Sequence, residues 1–327
     1  MQPVSFIKIT ILLFVLLSAG FSNLFADEVN IPLSEFTSIS IRIDGEAEPA
    51  WDNAESYEIN KAMSCDLSSA TDFCETTGSV KSLWDGALLY LLIEVHDPDI
   101  FSNGQMPLDN DTLDIYFDLY NDKNAKYLED DWMANLSRKG KLSGKGDYKE
   151  RIKDCAVLPV YGEDNTETGY RVEAAVFLGG IPIENNRLTG IEFCINDASP
   201  STGKCKNRIF WNDGNNKGLD DNSRWGSIML TGYDGTSPRA LDTFMLEKNI
   251  RKAKGLREGI WKSELEVKKA LAIGKLGLIS KSQAEIDEYN MALEKALQNL
   301  RRKGKFPDPM DLPEINHLPD PFRFFNG

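Results

Sequence analysis

The sequence predicts a mainly β protein: an antiparallel β-sandwich, then a small three-helix bundle, then an irregular Pro-rich tail. From residue 29 to about 232, short runs are all-apolar or alternate at period two, and Gly, Asp, Asn and Pro separate them. Residues 240–303 are rich in Ala, Leu, Lys and Glu at helical spacing. Prolines interrupt residues 304–327 too often for regular structure. Many short strands with few helices are typical of a sandwich.

Residues 1–26 are predicted to be a signal peptide. Lys8 is their only charge, and the apolar run ILLFVLLSAGF that follows is too short to span a bilayer comfortably. The small residue Ala26, before Asp27, is the expected cleavage point. We therefore expect a secreted protein with no membrane contact after cleavage; a membrane anchor is the alternative.

The β-domain is predicted over residues 27–235. Its strand candidates, in order, are SISIRIDG, SVKSLWDG, LLYLLIEVHDP, DTLDIYFDLY, YRVEAAVFL, GIEFCINDA, NRIFWND and GSIMLTG. The charged stretch 139–154 between two of them predicts a long exposed loop or hairpin.

The helical module is predicted over residues 238–303, where the period changes after Ser237. Three amphipathic stretches follow one another, and Ser280 with Gln283 has the spacing of a capping box at the start of the third. Three short helices of this size form a small bundle. The tail, 304–327, ends on the apolar PFRFF, so we expect it to dock on another surface.

The charge of the chain limits its partners. It carries 37 Lys and Arg against 51 Asp and Glu, a formal net charge of −14. Nucleic-acid binding needs clustered cations, so we exclude it. Calcium and neutral polar ligands remain compatible with this charge.

Five cysteines in an exported chain are expected mostly to pair. The pairs closest in sequence, Cys65 with Cys74 and Cys194 with Cys205, are the predicted disulfides, and Cys155 then has no partner. Other pairings remain open.

Catalytic motifs are absent from the sequence. The two histidines are far apart, and no HExxH, CxxC or GxSxG occurs. Asp114 and Asp118 share one face of a predicted strand, but four residues of strand span about 13 Å, too far for a retaining glycosidase pair. A carboxylate partner from another strand is not excluded.

Two other kinds of ligand contact are suggested by the residues. Acids at strand ends, Asp44 and Asp111 among them, can wrap a calcium ion, although ordinary solvated acids are the alternative. Trp132 and Trp211 stand beside acidic or Asn-rich loops, so we expect exposed rings on which a sugar can stack.

The motifs occur in a recognisable order. IDGEAEPAWDNAE, LWDGALLYLLIEVHDPDI, DNDTLDIYFDLYND, GYRVEAAVFL, INDAS, FWND and RWGSIML together resemble family 9 carbohydrate-binding modules, over roughly 40–232. The resemblance implies a β-sandwich, bound calcium and recognition of plant polysaccharide. It also implies that Asp114 accepts hydrogen bonds from sugar hydroxyls.

The chain departs from that family at its sugar clamp. Family members hold the terminal sugar between two Trp side chains, and the corresponding positions here fall near Leu108 and at Gly218 or Leu219. The position of an arginine in the family, on the strand after the acidic loop, falls near Asn135. The family's glutamine corresponds to Cys194. We therefore predict that a glycan is bound through another set, formed by Asp114, Trp132, Asn135, Trp211 and Asn215; the alternative is a structural relative that binds no glycan.

Two further resemblances bear on the role of the whole chain. Residues 246–301 look like helical repeats found beside catalytic modules, and HLPDPFRFFNG is similar to the opening of glucuronoyl esterases. The leading hypothesis is a secreted, non-catalytic binder of xylan or glucan. The alternatives are the front part of a carbohydrate esterase whose catalytic domain follows Gly327, and a surface module that contacts protein.

Overall fold

The structure, a computed structural model, describes residues 31–65, 74–179, 184–213, 221–237, 240–256, 261, 263–278 and 282–300. Its strands are β1 (Leu33–Phe36), β2 (Ser56–Ile59), β3 (Lys61–Ser64), β4 (Thr77–Trp84), β5 (Leu88–His96), β6 (Thr112–Asp118), β7 (Asp131–Ser137), β8 (Leu142–Lys145), β9 (Ile152–Tyr161), β10 (Glu167–Phe177), β11 (Arg187–Ser199), β12 (Lys204–Phe210) and β13 (Gly226–Thr231). Its helices are α1 (Tyr148–Arg151), α2 (Phe244–Lys254), α3 (Glu264–Gly277) and α4 (Gln283–Gln298). Short 3-10 turns occupy Pro49–Asn53, Pro107–Asp109 and Asn222–Arg224.

The strands form one curled mixed sheet in the order β8-β7-β6-β11-β13-β1-β4-β5-β10-β9. Pairing is antiparallel except where β1 runs parallel to β13 and β4. Strand β12 extends the sheet from β11 to β3, and β2 pairs with β4. The curl brings the two halves of the sheet face to face around one core. The predicted mainly β sandwich is confirmed.

Alternation along each strand builds that core. On β6, Leu113, Ile115 and Phe117 point inward and join residues from β5, β7, β10 and β11 in one buried cluster. The intervening residues of β6 point to the outer face of the sheet, and they too are buried. A strand buried on both sides while carrying acids must satisfy those acids locally, because unpaired buried charge is costly. The candidate functional site lies on this outer face.

Helices α2, α3 and α4 pack around a second, separate core. This module docks on the sandwich through Phe244, whose ring lies 5.4 Å from that of Phe177 and under the guanidinium of Arg151. Lys248 adds an ion pair to Asp147 at 2.7 Å. The helical module is therefore held against the β-domain at its first helix.

Several expectations fall outside the described residues: the signal segment 1–26, the tail 304–327, the binding residue Asn215 and the capping residue Ser280. Within the described ranges, no helix combines the length and apolar character needed to cross a bilayer.

The predicted disulfide pairs are wrong. The structure bonds Cys65 to Cys205, with Cα atoms 5.8 Å apart, and leaves Cys74 and Cys194 as free thiols. In the β11–β12 ladder, Cys194 stands opposite Phe210. Cys205 stands opposite Ala198, which is four residues further along β11 than Cys194. That offset exceeds the reach of a disulfide. Pairing of β3 with β12 instead brings distant Cys65 beside Cys205.

Candidate functional site

Five polar side chains from four strands meet on the outer face of the sheet, and we call them the polar network. Asn135 Nδ2 donates to Asp114 Oδ1 at 2.6 Å and to the hydroxyl of Thr112 at 2.8 Å. Arg208 donates from Nη2 to Asp114 Oδ2 at 3.1 Å and from Nε to Asn196 Oδ1 at 3.0 Å. Asn196 Nδ2 completes the ring by donating to Thr112 at 3.0 Å.

Strand register explains why these residues meet. Asp114 lies directly opposite Asn135 on β7 and opposite Cys194 on β11. Arg208 on β12 lies opposite Asn196, so its side chain reaches the same face. The structure thus brings together two of the predicted binding residues, Asp114 and Asn135.

The network is balanced in charge and almost fully buried. The side chains of Asp114 and Arg208 are each 3% exposed. A buried ion pair persists only when its remaining lone pairs and protons are also bonded, as they are here by the two asparagines and the hydroxyl of Tyr116. Paired donors and acceptors of this kind suit a neutral polyhydroxy ligand, and they provide no nucleophile with a general base.

The prediction that Trp132 is an exposed stacking surface is wrong. Trp132 is fully buried and stacks on Phe117, with ring centroids 5.2 Å apart. It lies three residues before Asn135 on β7, and residues three apart on a strand face opposite sides. Trp132 and Asn135 therefore cannot share one binding surface.

The same prediction for Trp211 is also wrong. Trp211 is 9% exposed and packs edge-on against Phe193, with centroids 5.8 Å apart. It continues the inward alternation of Ile209 at the end of β12, and Gly226 leaves the space for its ring. A side chain on Gly226 would lie 2.3 Å from the indole.

The two acids expected to bind calcium contact different parts of the chain. Asp44 sits on a turn, pairs with Arg42 and accepts the backbone N–H of Glu46. Asp111 is buried and accepts the N–H groups of Phe101 and Ala198. A shared metal site formed by Asp44 and Asp111 receives no support from these contacts.

Asp111 is instead part of a buried pair of acids. Burial, and then the neighbouring carboxylate of Asp97, raise the pKa of Asp111 from 3.8 to about 8. Asp97 Oδ2 is buried without a hydrogen-bond partner. At neutral pH Asp111 therefore favours its protonated form.

A different acidic group has the geometry of a cation site. One carboxylate oxygen from each of Asp118, Asp130 and Asp131 lies within 4.8 Å of the others, and all three residues are buried. Asn222 donates its amide N–H to Asp131 Oδ1 at 2.9 Å, while its own Oδ1 is buried without a partner. Oxygen-only donors of this kind fit a hard cation such as calcium. We call these four residues the acid cluster.

Electrostatics distinguish the acid cluster from the polar network. Burial raises the pKa of Asp131 to about 6 and also raises the pKa of Asp118. Among the described residues, no Lys or Arg forms an ion pair with the three acids. The nearby Lys123 donates from Nζ to the carbonyls of Trp225 and Gly226. The cluster therefore carries surplus negative charge.

Several contributors were missed from the sequence, although some of them had a signal. Arg208 lies at the apolar end of the strand KCKNRIF, on the same face as Phe210. Asp130 and Asp131 follow a loop that returns the chain to Asp118, and the β6–β7 register places Asp131 opposite Asp118. Asn222 had no signal, because its partner lies 91 residues away.

Comparison with known proteins supports the fold and identifies the family. A family model described as "Carbohydrate family 9 binding domain-like" matches residues 43–233. A carbohydrate-binding module of family 9 from Caldicellulosiruptor kristjanssonii, solved with cellotriose, is 26% identical, with a TM-score of 0.55. That match covers 64% of this chain and 98% of the module. The same kind of module from that organism with glucose is 28% identical, with a TM-score of 0.52, covering 62% and 98% of the two chains.

Curated relatives are much longer than the matched region. An endo-1,4-beta-xylanase A from Thermotoga neapolitana is 30% identical over 189 residues, which are 58% of this chain and 17% of the relative. Exoglucanase XynX from Acetivibrio thermocellus is 27% identical over 192 residues, 58% of this chain and 16% of the relative. This chain thus spans about a sixth of the relatives it matches. Since the family model covers more than half of the chain, the chain belongs to the carbohydrate family 9 binding domain-like proteins.

Proposed function

We propose that the β-domain binds plant cell-wall polysaccharide of the glucan or xylan class without cleaving it. The polar network carries the proposal: it gathers an acid, an arginine, two amides and a hydroxyl on one face of the sheet. Similarity to a module solved with cellotriose supports the choice of ligand. Asn135, at 7% exposed, is the most accessible member, so the first sugar contact is assigned to its amide.

Binding at this face requires the sugar to exchange hydrogen bonds with the network. Asp114 and Arg208 are each 2% exposed as residues, so the segments covering them must shift when a ligand enters. Each exchanged hydrogen bond contributes about 1 kcal/mol net, so affinity in the millimolar to micromolar range is expected.

The test is calorimetric titration with cellotriose, xylotriose and mannotriose. Asn135→Ala should weaken binding of the preferred trisaccharide about fivefold to tenfold, the value of one hydrogen bond. The exposed Asn60→Ala, between β2 and β3 and outside the hydrogen-bonded network, is the matched control and should leave affinity unchanged. Absence of binding to all three sugars, together with no retardation on xylan, glucan or mannan gels, would reject the proposal.

We also propose that the acid cluster holds calcium. Asp118, Asp130 and Asp131 would supply carboxylate oxygens, and Asn222 the buried amide oxygen that lacks a partner. Bound calcium would neutralise the surplus charge and fix the loop between β6 and β7.

Export is the proposed localisation. The disulfide between Cys65 and Cys205 supports it, because such bonds persist in oxidising compartments. It agrees with the signal segment expected at residues 1–26.

A second candidate role is the non-catalytic front part of a carbohydrate esterase or hydrolase. Its support is that the similar xylanases and the exoglucanase match this chain over only about a sixth of their length. The helical module and the HLPDPFRFFNG segment would then connect the β-domain to a catalytic domain. Ester or glycoside cleavage by the chain alone would contradict the binding role; sequence beyond Gly327 encoding a nucleophile elbow would favour the second role.

A further inference from the structure

The β-domain opens few aromatic rings to a ligand. The tryptophans predicted to stack on a sugar, Trp132 and Trp211, are buried. Within the described residues, the aromatic side chains that are exposed are Tyr120, at 52%, and Tyr161, at 57%. The apolar face of a sugar ring needs an open aromatic face to stack on. These two tyrosines are therefore the accessible places for such a contact.

Tyr120 is connected to the strand that carries both sites described above. Strand β6 holds Asp114 of the polar network and Asp118 of the acid cluster, and Tyr120 follows Asp118 by two residues. Tyr161 instead ends β9, the strand at the other end of the sheet order. Of the two exposed rings, the one at the end of β6 is therefore in line with the polar network.

The backbone of Tyr120 is fixed on both sides. Leu119, the residue before it, is buried in the main core. The N–H of Tyr120 donates to Asp130 Oδ2 at 3.1 Å, and the N–H of Asn121 donates to the carbonyl of Asp118 at 3.2 Å. A ring carried by a fixed turn loses little conformational freedom when a ligand binds, so less of the binding free energy is lost to ordering.

Arg187 covers part of the ring and leaves the rest open. Its guanidinium carbon lies 6.0 Å from the centroid of the Tyr120 ring. Half of the surface of Tyr120 remains in solvent despite this contact, so the ring keeps a face for a ligand. An arginine at the side of the ring also brings N–H donors close to the hydroxyls of a sugar stacked there.

The charges near Tyr120 do not select an anion. Arg187 interacts electrostatically with Tyr120 and also with the carboxylate of Glu184. Arg151 interacts with Tyr120 and also with the carboxylate of Asp130. Each guanidinium thus has a carboxylate beside it, and no excess of positive charge arises. A neutral sugar is therefore the ligand that suits this ring.

The separation from the polar network sets the length of the ligand. Tyr120 lies six positions after Asp114 in the chain, a distance of at most about 20 Å along extended backbone. A trisaccharide centred on Asp114 covers only part of that distance, whereas a longer oligosaccharide spans it. We propose that Tyr120 is a stacking platform for a distal sugar unit of a neutral glucan or xylan chain bound at the polar network. This inference rests on the proposed binding of polysaccharide at that network.

The test is calorimetric titration of the full chain with cellotriose and cellohexaose, and with xylotriose and xylohexaose. Tyr120→Ala should weaken binding of the preferred hexasaccharide about fivefold to tenfold, the value of one aromatic contact. It should leave the affinity for the trisaccharide within about twofold, because alanine keeps the N–H that Asp130 accepts. Tyr120→Phe retains the ring and should bind the hexasaccharide as the parent does.

The matched control is Tyr161→Ala, which removes an equally exposed ring from β9 and should not change either affinity. Unchanged hexasaccharide affinity in Tyr120→Ala, or an equal loss for both ligand lengths, would overturn the stacking platform and leave the polysaccharide proposal standing. Binding of neither ligand by the parent would reject the polysaccharide proposal and this inference with it. The melting temperature of each variant separates loss of binding from loss of folding.

Discussion

Asp114 and Asp118 lie four residues apart on β6, on the same buried face, yet the structure treats them differently. Asp114 is paired with Arg208, so its site is neutral and both of its carboxylate oxygens accept hydrogen bonds. Asp118 is joined by two more acids and by an amide oxygen without a partner. One strand therefore buries acid in two ways: next to a cation of the protein, or next to a place where an external cation can bind.

The largest expected effect comes from removing the protein cation. Arg208→Met should lower the free energy of unfolding by about 3–5 kcal/mol, because Asp114 is left buried without its partner. Urea denaturation measures this. Adding Asp114→Asn to the same variant should recover much of the loss, since replacing both partners is less costly than breaking the pair.

The control for that experiment is Arg171→Met. Arg171 pairs with Glu94 at 2.6 Å, but both side chains are substantially exposed. Exposed pairs contribute at most about 1 kcal/mol, so this variant should remain close to the parent. An Arg208→Met variant as stable as Arg171→Met would show that the polar network is not charge-balanced by Arg208.

The next effect concerns the acid cluster. Calcium at about 100 times its dissociation constant should raise the free energy of unfolding by about 2.7 kcal/mol, and a chelator should reverse the change. Asp130→Asn should reduce the calcium-dependent shift in melting temperature. Glu129→Gln makes the same charge change at an exposed neighbour and should not reduce it. A melting temperature insensitive to calcium would contradict the proposed ion.

The smallest effect concerns Glu192, an acid on the outer face that is held mainly by backbone groups. It accepts the N–H groups of Phe193, Trp211, Asn212 and Asp213. Burial raises its pKa from 4.5 to about 7 despite these bonds. Its protonated form is therefore favoured by folding, and the stability it contributes is full below pH 4.5 and lost as the pH rises through 7.

Replacing Glu192 should reduce that pH dependence. Between pH 4.5 and about 7, the free energy of unfolding of the parent should fall by up to about 1.4 kcal/mol per pH unit. That of Glu192→Gln should fall less. Denaturation at about pH 5 and about pH 7 measures the difference. Glu94→Gln, an exposed acid, serves as the control. The same slope in the parent and in Glu192→Gln would exclude Glu192 as its source.

Part of the site was predictable from the resemblance to family 9 modules. Asp114 and Asn135 were both selected from the sequence, and the structure joins them at 2.6 Å. The error over Trp132 was avoidable, since strand alternation alone assigns it to the face opposite Asn135. Arg208 was not selected, because an arginine in a strand has no assigned partner until strand pairing is known.

The sequence by itself determined the mainly β class, because alternation at period two is a local property of each strand. It likewise contained the acids of β6 and the apolar residues between them. Only the tertiary structure decided which cysteines bond, which acid meets Arg208 and which three acids converge. Those outcomes depend on register between strands distant in the chain, such as β3 with β12 and β6 with β11. A shift of one residue would turn every side chain of a strand to the other face, and no local pattern specifies that register across such distances.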